Sequence, residues 1–482
     1  MSGFWLESKS YLAFLFIIFW ILQFFFHLPR RMLLLCHSSP SRHNFLCCRF
    51  IILFSTPIDG ILEGYLTLID IELPDAKAGG LVSAGNNNEL PPYEEVQGVF
   101  CHISWDLQRN DPTSVPLFQD LQRQSTLCEA TMFTADLRDV TEKARAYDNG
   151  EKLNFAATRP KHATQSIDPA AVIFSESKSG SVLISNVLAA FRPERTRVYT
   201  EAPPVTSALL ACRQLENQQA MIQNEQGAKT KDEFCPGPAH HALIRDVFYL
   251  LGRNANPVKP QYVFYKINSL ATTVIQDFVH AMPNANWVFS YRDPVEVLMS
   301  HFQHYLRNEP MPKNHMPTCL QNYGQIRQSE LFEELVRQKD RTVASLTKVE
   351  FCAVHLATLC HAAVEEYKRT NNAKHKRTSN TNAAYWFIDH KELPYAVWEQ
   401  ILSKVANVHL TLDQVDHMQA VAKVHTKGSG STQKVWKEDS IFKQSKAPPE
   451  VQEAANTWLY PIYRSMDKIR QDLEQKFSSG RT

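Results

Sequence analysis

Residues 171–184 read Ala171-Val-Ile-Phe-Ser175-Glu-Ser-Lys178-Ser179-Gly180-Ser181-Val-Leu-Ile184. The first four are apolar without alternation, the pattern of a strand buried on both faces. The next seven are small and polar around one Lys and one Gly, after which apolar residues return at helical spacing. This predicts a strand, a tight turn and a helix. Such a turn curls several backbone N–H groups towards one point, at the positive end of the helix dipole. Lys178 adds a mobile charge, and Ser179 and Ser181 add hydroxyl donors, so the loop has the chemistry of an anion site. A plain serine-rich turn has the same composition. The order is not that of the nucleotide-triphosphatase loop, because the Lys comes before the Gly.

Four more short β-rich runs follow: Arg197–Tyr199, Tyr262–Tyr265, Trp287–Tyr291 and Tyr385–Ile388. Helix-like segments separate them, at Ser181–Phe191, Thr206–Glu225, His241–Gly252, Thr272–Ala281 and Lys348–Lys368. Strands alternating with helices predict an α/β domain, a five-stranded parallel sheet covered by helices in three layers. Ligands of such sheets bind beyond the carboxyl ends of the strands. Past the fourth run the chain reads Arg292-Asp-Pro294-Val-Glu-Val-Leu-Met-Ser300-His-Phe302. Pro294 suits a first helical turn. Arg292 then leaves the strand end, with Ser300 about two turns along the helix, a pairing suited to a dianionic phosphate. Taken alone, an Arg-Asp-Pro turn is more often a structural ion pair.

Together the two elements resemble the nucleotide-binding signature of the sulfotransferase family. The first resembles that family's loop of Pro, a basic residue, Ser or Thr, Gly and two more hydroxyl residues, with Ser177 in place of the Pro. The second resembles its Arg-Asp/Asn-Pro-x-acidic-Val-x-x-Ser-x-aromatic element, about 110 residues on and in the right order. Phe264-Tyr-Lys266 and the run Ala281–Phe289 leading into Arg292 are also similar. The resemblance covers roughly 167–478 and implies a P-loop-type domain over 166–478 using 3′-phosphoadenosine 5′-phosphosulfate as co-substrate, with no metal. It implies that Ser179, Gly180 and Ser181 bind the 5′-phosphosulfate and that Lys178 stabilises charge on the bridging oxygen. It further implies that Arg292 and Ser300 bind the 3′-phosphate. His425-Thr-Lys427-Gly428 with Trp436-Lys437 loosely resembles the family's C-terminal Arg-Lys-Gly-x-x-Gly-Asp-Trp-Lys loop, which makes Lys427 a further nucleotide ligand. The spacing is stretched and the Asp is missing.

The general base departs from the commonest family pattern. Where cytosolic members carry Lys-x-His, this chain has Lys266-Ile-Asn268, and Asn cannot take a proton. Other members use a Glu after the second strand, which is Glu201 here. A partly desolvated carboxylate gains proton affinity and can accept the acceptor's proton. Glu201 is therefore the expected base, with Lys266 holding sulfuryl oxygens, and His240 and His241 are the fallbacks. The reaction implied is in-line sulfuryl transfer to a hydroxyl or amine of a small-molecule, glycan or protein acceptor. A catalytically degenerate nucleotide-binding or scaffold protein of the same fold is the alternative.

The rest of the chain sets limits. With 51 Lys+Arg against 50 Asp+Glu in 482 residues, a general nucleic-acid binder is excluded. Ten Cys are too few for a disulfide scaffold. Cys352, His355, Cys360 and His361 share one predicted helix, but the last two are adjacent and point apart, so packing explains them better than a metal. Residues 11–28, apolar but for Gln23 and His27, sit at the lower edge of what spans a bilayer and predict a single-pass anchor or signal-anchor within 1–56. A signal-peptide core is usually shorter and ends at a small-residue cleavage site. An anchor of this kind fits a Golgi or endoplasmic reticulum membrane. Arg30, Arg31, Arg42 and Arg49 after the run favour a cytosolic domain, whereas an N-terminally anchored lumenal enzyme prefers the opposite bias. Residues 57–165 read as a linker and an extension packed on the main domain.

Overall fold

The computed structural model describes residues 32–37, 47–52, 56–73, 93, 95–150, 164–214, 237–254, 262–307, 316–321, 323, 329–371, 383–425, 434–435 and 439–479. The hydrophobic run 11–28 and Lys427 lie outside the described residues. Among the described residues no helix is long and apolar enough to cross a membrane.

Strands β1 (Met32–His37) and β2 (Cys47–Ile52) pair antiparallel. Strands β3 (Leu66–Glu72), β4 (Gln97–His102) and β5 (Phe133–Asp136) form a second antiparallel sheet in that order, and helix α1 (Leu137–Asn149) follows. No local pattern in the sequence marks this sheet. A register shift between Leu68 and Asp70 breaks the alternation that would have marked β3, and its partner lies well along the chain.

The main sheet holds β6 (Ala171–Ser175), β7 (Thr196–Thr200), β8 (Tyr262–Lys266), β9 (Trp287–Tyr291) and β10 (Tyr385–Asp389). Every pair is parallel and the order is β10-β9-β6-β8-β7. Its helices include α2 (Ser181–Ala190), α3 (Pro203–Leu209), α4 (Pro238–Gly252), α5 (Ile275–Ala281), α6 (Pro294–His301), α7 (Lys348–Asn371), α8 (Ser440–Lys446) and α9 (Tyr460–Ser478). The predicted α/β class is the one observed. Side chains of β6 alternate between two apolar cores. Ala171 and Ile173 pack with Leu183, Val187 and Leu188 of α2. Val172 and Phe174 pack with Leu243, Val247 and Leu251 of α4 and with the α7 face. Both faces of the strand are buried, which is why its sequence is apolar throughout. Each large side chain removed from water contributes about 1.5–3 kcal/mol.

Two buried polar side chains join the antiparallel sheet region to the main one. Gln108 lines the outer edge of β7: its Nε2 donates to Val198 O at 2.8 Å, and its Oε1 accepts from Val198 N at 3.1 Å. The amide stands in for a missing strand neighbour and closes an open sheet edge. Arg253, past the end of α4, donates to Ile61 O at 2.8 Å, Leu62 O at 2.6 Å and the Asp148 carboxylate at 2.9 Å. Disulfides link Cys101 to Cys128 and Cys319 to Cys352, and Cys212 is also disulfide-bonded.

Candidate functional site

Because β6 is central, three chain segments reach one place. Ser175 lies opposite Ser290 of β9, and Ile173 lies opposite Lys266 of β8. The loop after β6, the end of β8 and the Arg292 turn after β9 therefore lie side by side at the carboxyl edge of the sheet.

The loop 175–181 is tightly wound. Ser177, Lys178 and Gly180 all have positive φ, at 73°, 54° and 88°. A Cβ on Gly180 would come within 2.7 Å of His390 Nδ1 and of Leu393 Cδ1, so the turn needs Gly for both φ and space. Three side chains outside the loop hold it. Thr272 Oγ1 donates to Ser175 O at 3.1 Å, Ser290 Oγ donates to Ser179 O at 3.2 Å, and His390 Nδ1 lies 3.1 Å from that same carbonyl. Burial first, then Arg292, pushes the His390 pKa down to about 4, so the ring is neutral at neutral pH. Its Nδ1 must carry the proton to meet a carbonyl. Ser179 Oγ is buried without a hydrogen-bond partner, and Lys178 is exposed with no ion pair among the described residues. An orphaned hydroxyl, a free cation and a left-handed turn at a helix N-terminus are what an oxyanion at this loop requires.

Glu176, for which the sequence carries no local sign of a role, ties the loop to the second element. It is buried, accepts from Arg292 N through one carboxyl oxygen and from Cys360 Sγ at 3.3 Å through the other. Burial raises its pKa to about 8, so it holds its proton at neutrality.

At the second element Asp293 caps α6, accepting from Val295 N at 3.0 Å and Glu296 N at 3.2 Å. Asp293 thus serves as a helix cap, a role different from the ion pair that the Arg-Asp-Pro turn suggests, and Arg292 pairs with other carboxylates. Arg292 is nearly buried; its Nε meets Glu296 at 2.8 Å and its Nη2 meets Asp439 at 2.7 Å. Ser300 Oγ donates to Glu296 O at 2.7 Å and accepts from Lys443 Nζ at 2.8 Å. Lys443 Nζ also meets Asp439 at 2.7 Å. The Asp439 carboxylate, half exposed, thus bridges two buried cations next to a hydroxyl. Burial and the nearby Arg292 lower the Lys443 pKa. Burial opposes ionisation of Asp439, but Lys443 and Arg292 outweigh it and hold that carboxyl below its ordinary range. Lys443, on α8, was not singled out in the sequence. Nothing near it signals that this Lys is buried, and only the return of the C-terminal segment to α6 brings it there.

Glu201 and Lys266, the expected base and its helper, form an ion pair across β7 and β8. Asn268 Nδ2 lies 3.4 Å from Glu201, so the residue standing where Lys-x-His would place its imidazole touches the carboxylate expected to replace it. Glu201 sits at φ 53°, its N–H donating to Lys266 O at 2.7 Å. The fallback histidines lie elsewhere. His240 Nε2 is 2.9 Å from Ala208 O, and His241 faces Asp277. The Cys/His helix is α7, where Cys352 is disulfide-bonded, Cys360 meets Glu176, and burial pushes the His355 pKa down to about 4.

The chain matches no family model and no curated protein. Solved structures similar to it include the sulfotransferase domain from the curacin biosynthetic pathway, at 12% identity over 60% of this chain and 97% of that one, TM-score 0.29. A sulfotransferase from Mycobacterium avium is 12% identical over 66% of this chain and 76% of its own, TM-score 0.29. One from Alicyclobacillus acidocaldarius is 13% identical over 63% and 96%, TM-score 0.29.

Proposed function

We propose that this chain transfers a sulfuryl group from 3′-phosphoadenosine 5′-phosphosulfate to a hydroxyl or amine of an acceptor. The observation that carries the reading is the pair of clusters of cations and hydroxyls at adjoining strand ends. One is the left-handed loop around Lys178 after β6, and the other is Arg292, Ser300 and Lys443 beyond β9. In this reading the backbone N–H groups of 179–181 and the Ser179 hydroxyl hold the 5′ end. Arg292, Ser300 and Lys443 hold the 3′-phosphate, and Asp439 keeps that place until it swings out. Lys427 adds a further contact. Glu201 takes the acceptor's proton as the bond to sulfur forms. Lys178 neutralises the bridging oxygen as the sulfur–oxygen bond breaks and the bisphosphate leaves. Lys266, released from Glu201, turns to the sulfuryl oxygens. Such chemistry asks the protein for position and fixed charge more than for covalent help. The purified protein should consume the donor when offered a panel of hydroxyl and amine acceptors. Tight binding of the product nucleotide with no turnover on any of them would instead support the degenerate binder.

The same reading has the chain held in the membrane of the secretory pathway by residues 11–28, with its domain on the lumenal side. The disulfides support an oxidising compartment and weigh against the arginines that follow the apolar run. Protease added to intact microsomes should leave the domain whole. Digestion without detergent would place it in the cytosol.

A further inference from the structure

On the surface between α4 and α5 stand two imidazoles and a carboxylate. His241 lies in the first turn of α4, and Asp277 and His280 lie three residues apart on α5, on one face of that helix. Ligand atoms of the three residues all fall within 4.8 Å of one another. The His241 and His280 rings are 5.6 Å apart between centroids and tilted by 49°, so neither blocks the other. His241 Nε2 is buried from solvent and has no hydrogen-bond partner. It lies 3.8 Å from Asp277 Oδ1, an ion-pair distance but too long for a hydrogen bond. A buried ring nitrogen that faces a carboxylate without touching it costs stability unless something fills the gap.

A tetrahedral zinc ion about 2.0–2.1 Å from nitrogen and oxygen ligands sets those ligands about 3.3–3.5 Å apart. The His241–Asp277 gap exceeds this by only a few tenths of an ångström. The separations that involve His280, the exposed member, are within 4.8 Å. We propose that His241, Asp277 and His280 bind one zinc-class divalent transition ion, leaving a fourth position open. Two imidazoles with one carboxylate suit zinc, cobalt or nickel and disfavour calcium and magnesium, which take oxygen ligands. A second grouping of metal-capable side chains, His301 with Cys319 and Cys352, has its two sulfurs joined to each other and cannot serve. The zinc site is independent of the sulfuryl-transfer reading.

The test uses the purified full-length chain in detergent, without thiol reductants, stripped by a chelator and titrated with cobalt(II). Visible d–d absorption reports binding, and zinc competes against a chromophoric chelator. The expected result is one equivalent bound at micromolar or tighter affinity, with His241→Ala and His280→Ala each weakening it about 100-fold. Since His280 is exposed, His280→Ala should keep the unfolding midpoint of the metal-free protein, which guards against a folding defect in the half-buried His241 variant. Millimolar binding only, or stoichiometric binding that survives both substitutions, would overturn the proposal.

Discussion

Gly180 is where backbone and side-chain constraints meet, since its φ of 88° and the nearness of His390 and Leu393 both exclude a Cβ. Gly180→Ala should destabilise the fold by about 1–3 kcal/mol in denaturant titration and weaken nucleotide binding as well. An unchanged midpoint would show that the loop relaxes freely. Lys178 is the opposite case, exposed and structurally unencumbered. Lys178→Ala should lower kcat by about 100-fold or more with the unfolding midpoint intact. Wild-type turnover in that variant would remove Lys178 from the mechanism. Glu176 adds a pH dependence. In the unfolded chain its carboxyl ionises near 4.5, whereas burial delays this to about 8 in the folded one. Between those values the native state holds a proton that the unfolded state has lost, so this group's contribution to stability falls as pH rises through the window. Unfolding of wild type and Glu176→Gln at pH 5 and pH 8 should show the wild type losing more stability than the variant. Parallel losses would mean that Glu176 is ionised throughout.

At the scale of elements, the edge of β7 depends on one side chain. Gln108→Ala leaves the Val198 N–H and C=O without a partner in a buried place, at about 1–3 kcal/mol for each group left unpaired. A lower denaturant midpoint would register this, and an unchanged one would mean that water replaces the amide. The same elements show what a sequence discloses. Most of the five parallel strands were legible because a strand buried on both faces writes itself as an apolar run, and Trp287–Tyr291 is recovered to the residue. The edge strand β7, by contrast, carries Arg197 and two Thr and shows only Val198 and Tyr199 as apolar. The helix expected over Thr272–Ala281 instead begins as a 3-10 turn at Ser269–Val274, where Asn268 caps by accepting from Leu270 N. The antiparallel sheet escaped because a bulge spoils the alternation of β3. Lys178, Ser179 and Arg292 were legible because they stand directly after strands. Lys443, Asp439 and His390 were not, since their closeness to the site is made by the folding of distant segments, and no local pattern records it.

At the scale of the molecule, the covalent links set where the chain can fold. The Cys101–Cys128 and Cys319–Cys352 bridges close loops of 27 and 33 residues. By loop entropy each stabilises the fold by about 3–4 kcal/mol. Replacing Cys101 and Cys128 by Ser should lower the unfolding midpoint accordingly and reduce the yield of folded protein; equal stability would mean that the bridge is dispensable. In the proposed function one nucleotide reaches across β6 and β9. The most direct measurement is a crystal structure of the protein soaked with 3′-phosphoadenosine 5′-phosphate. The 5′-phosphate should lie against Ser179, Gly180 and Ser181, and the 3′-phosphate between Arg292, Ser300 and Lys443, with Asp439 turned away. A nucleotide bound elsewhere, or Asp439 still bridging Arg292 and Lys443 with the nucleotide in place, would contradict it.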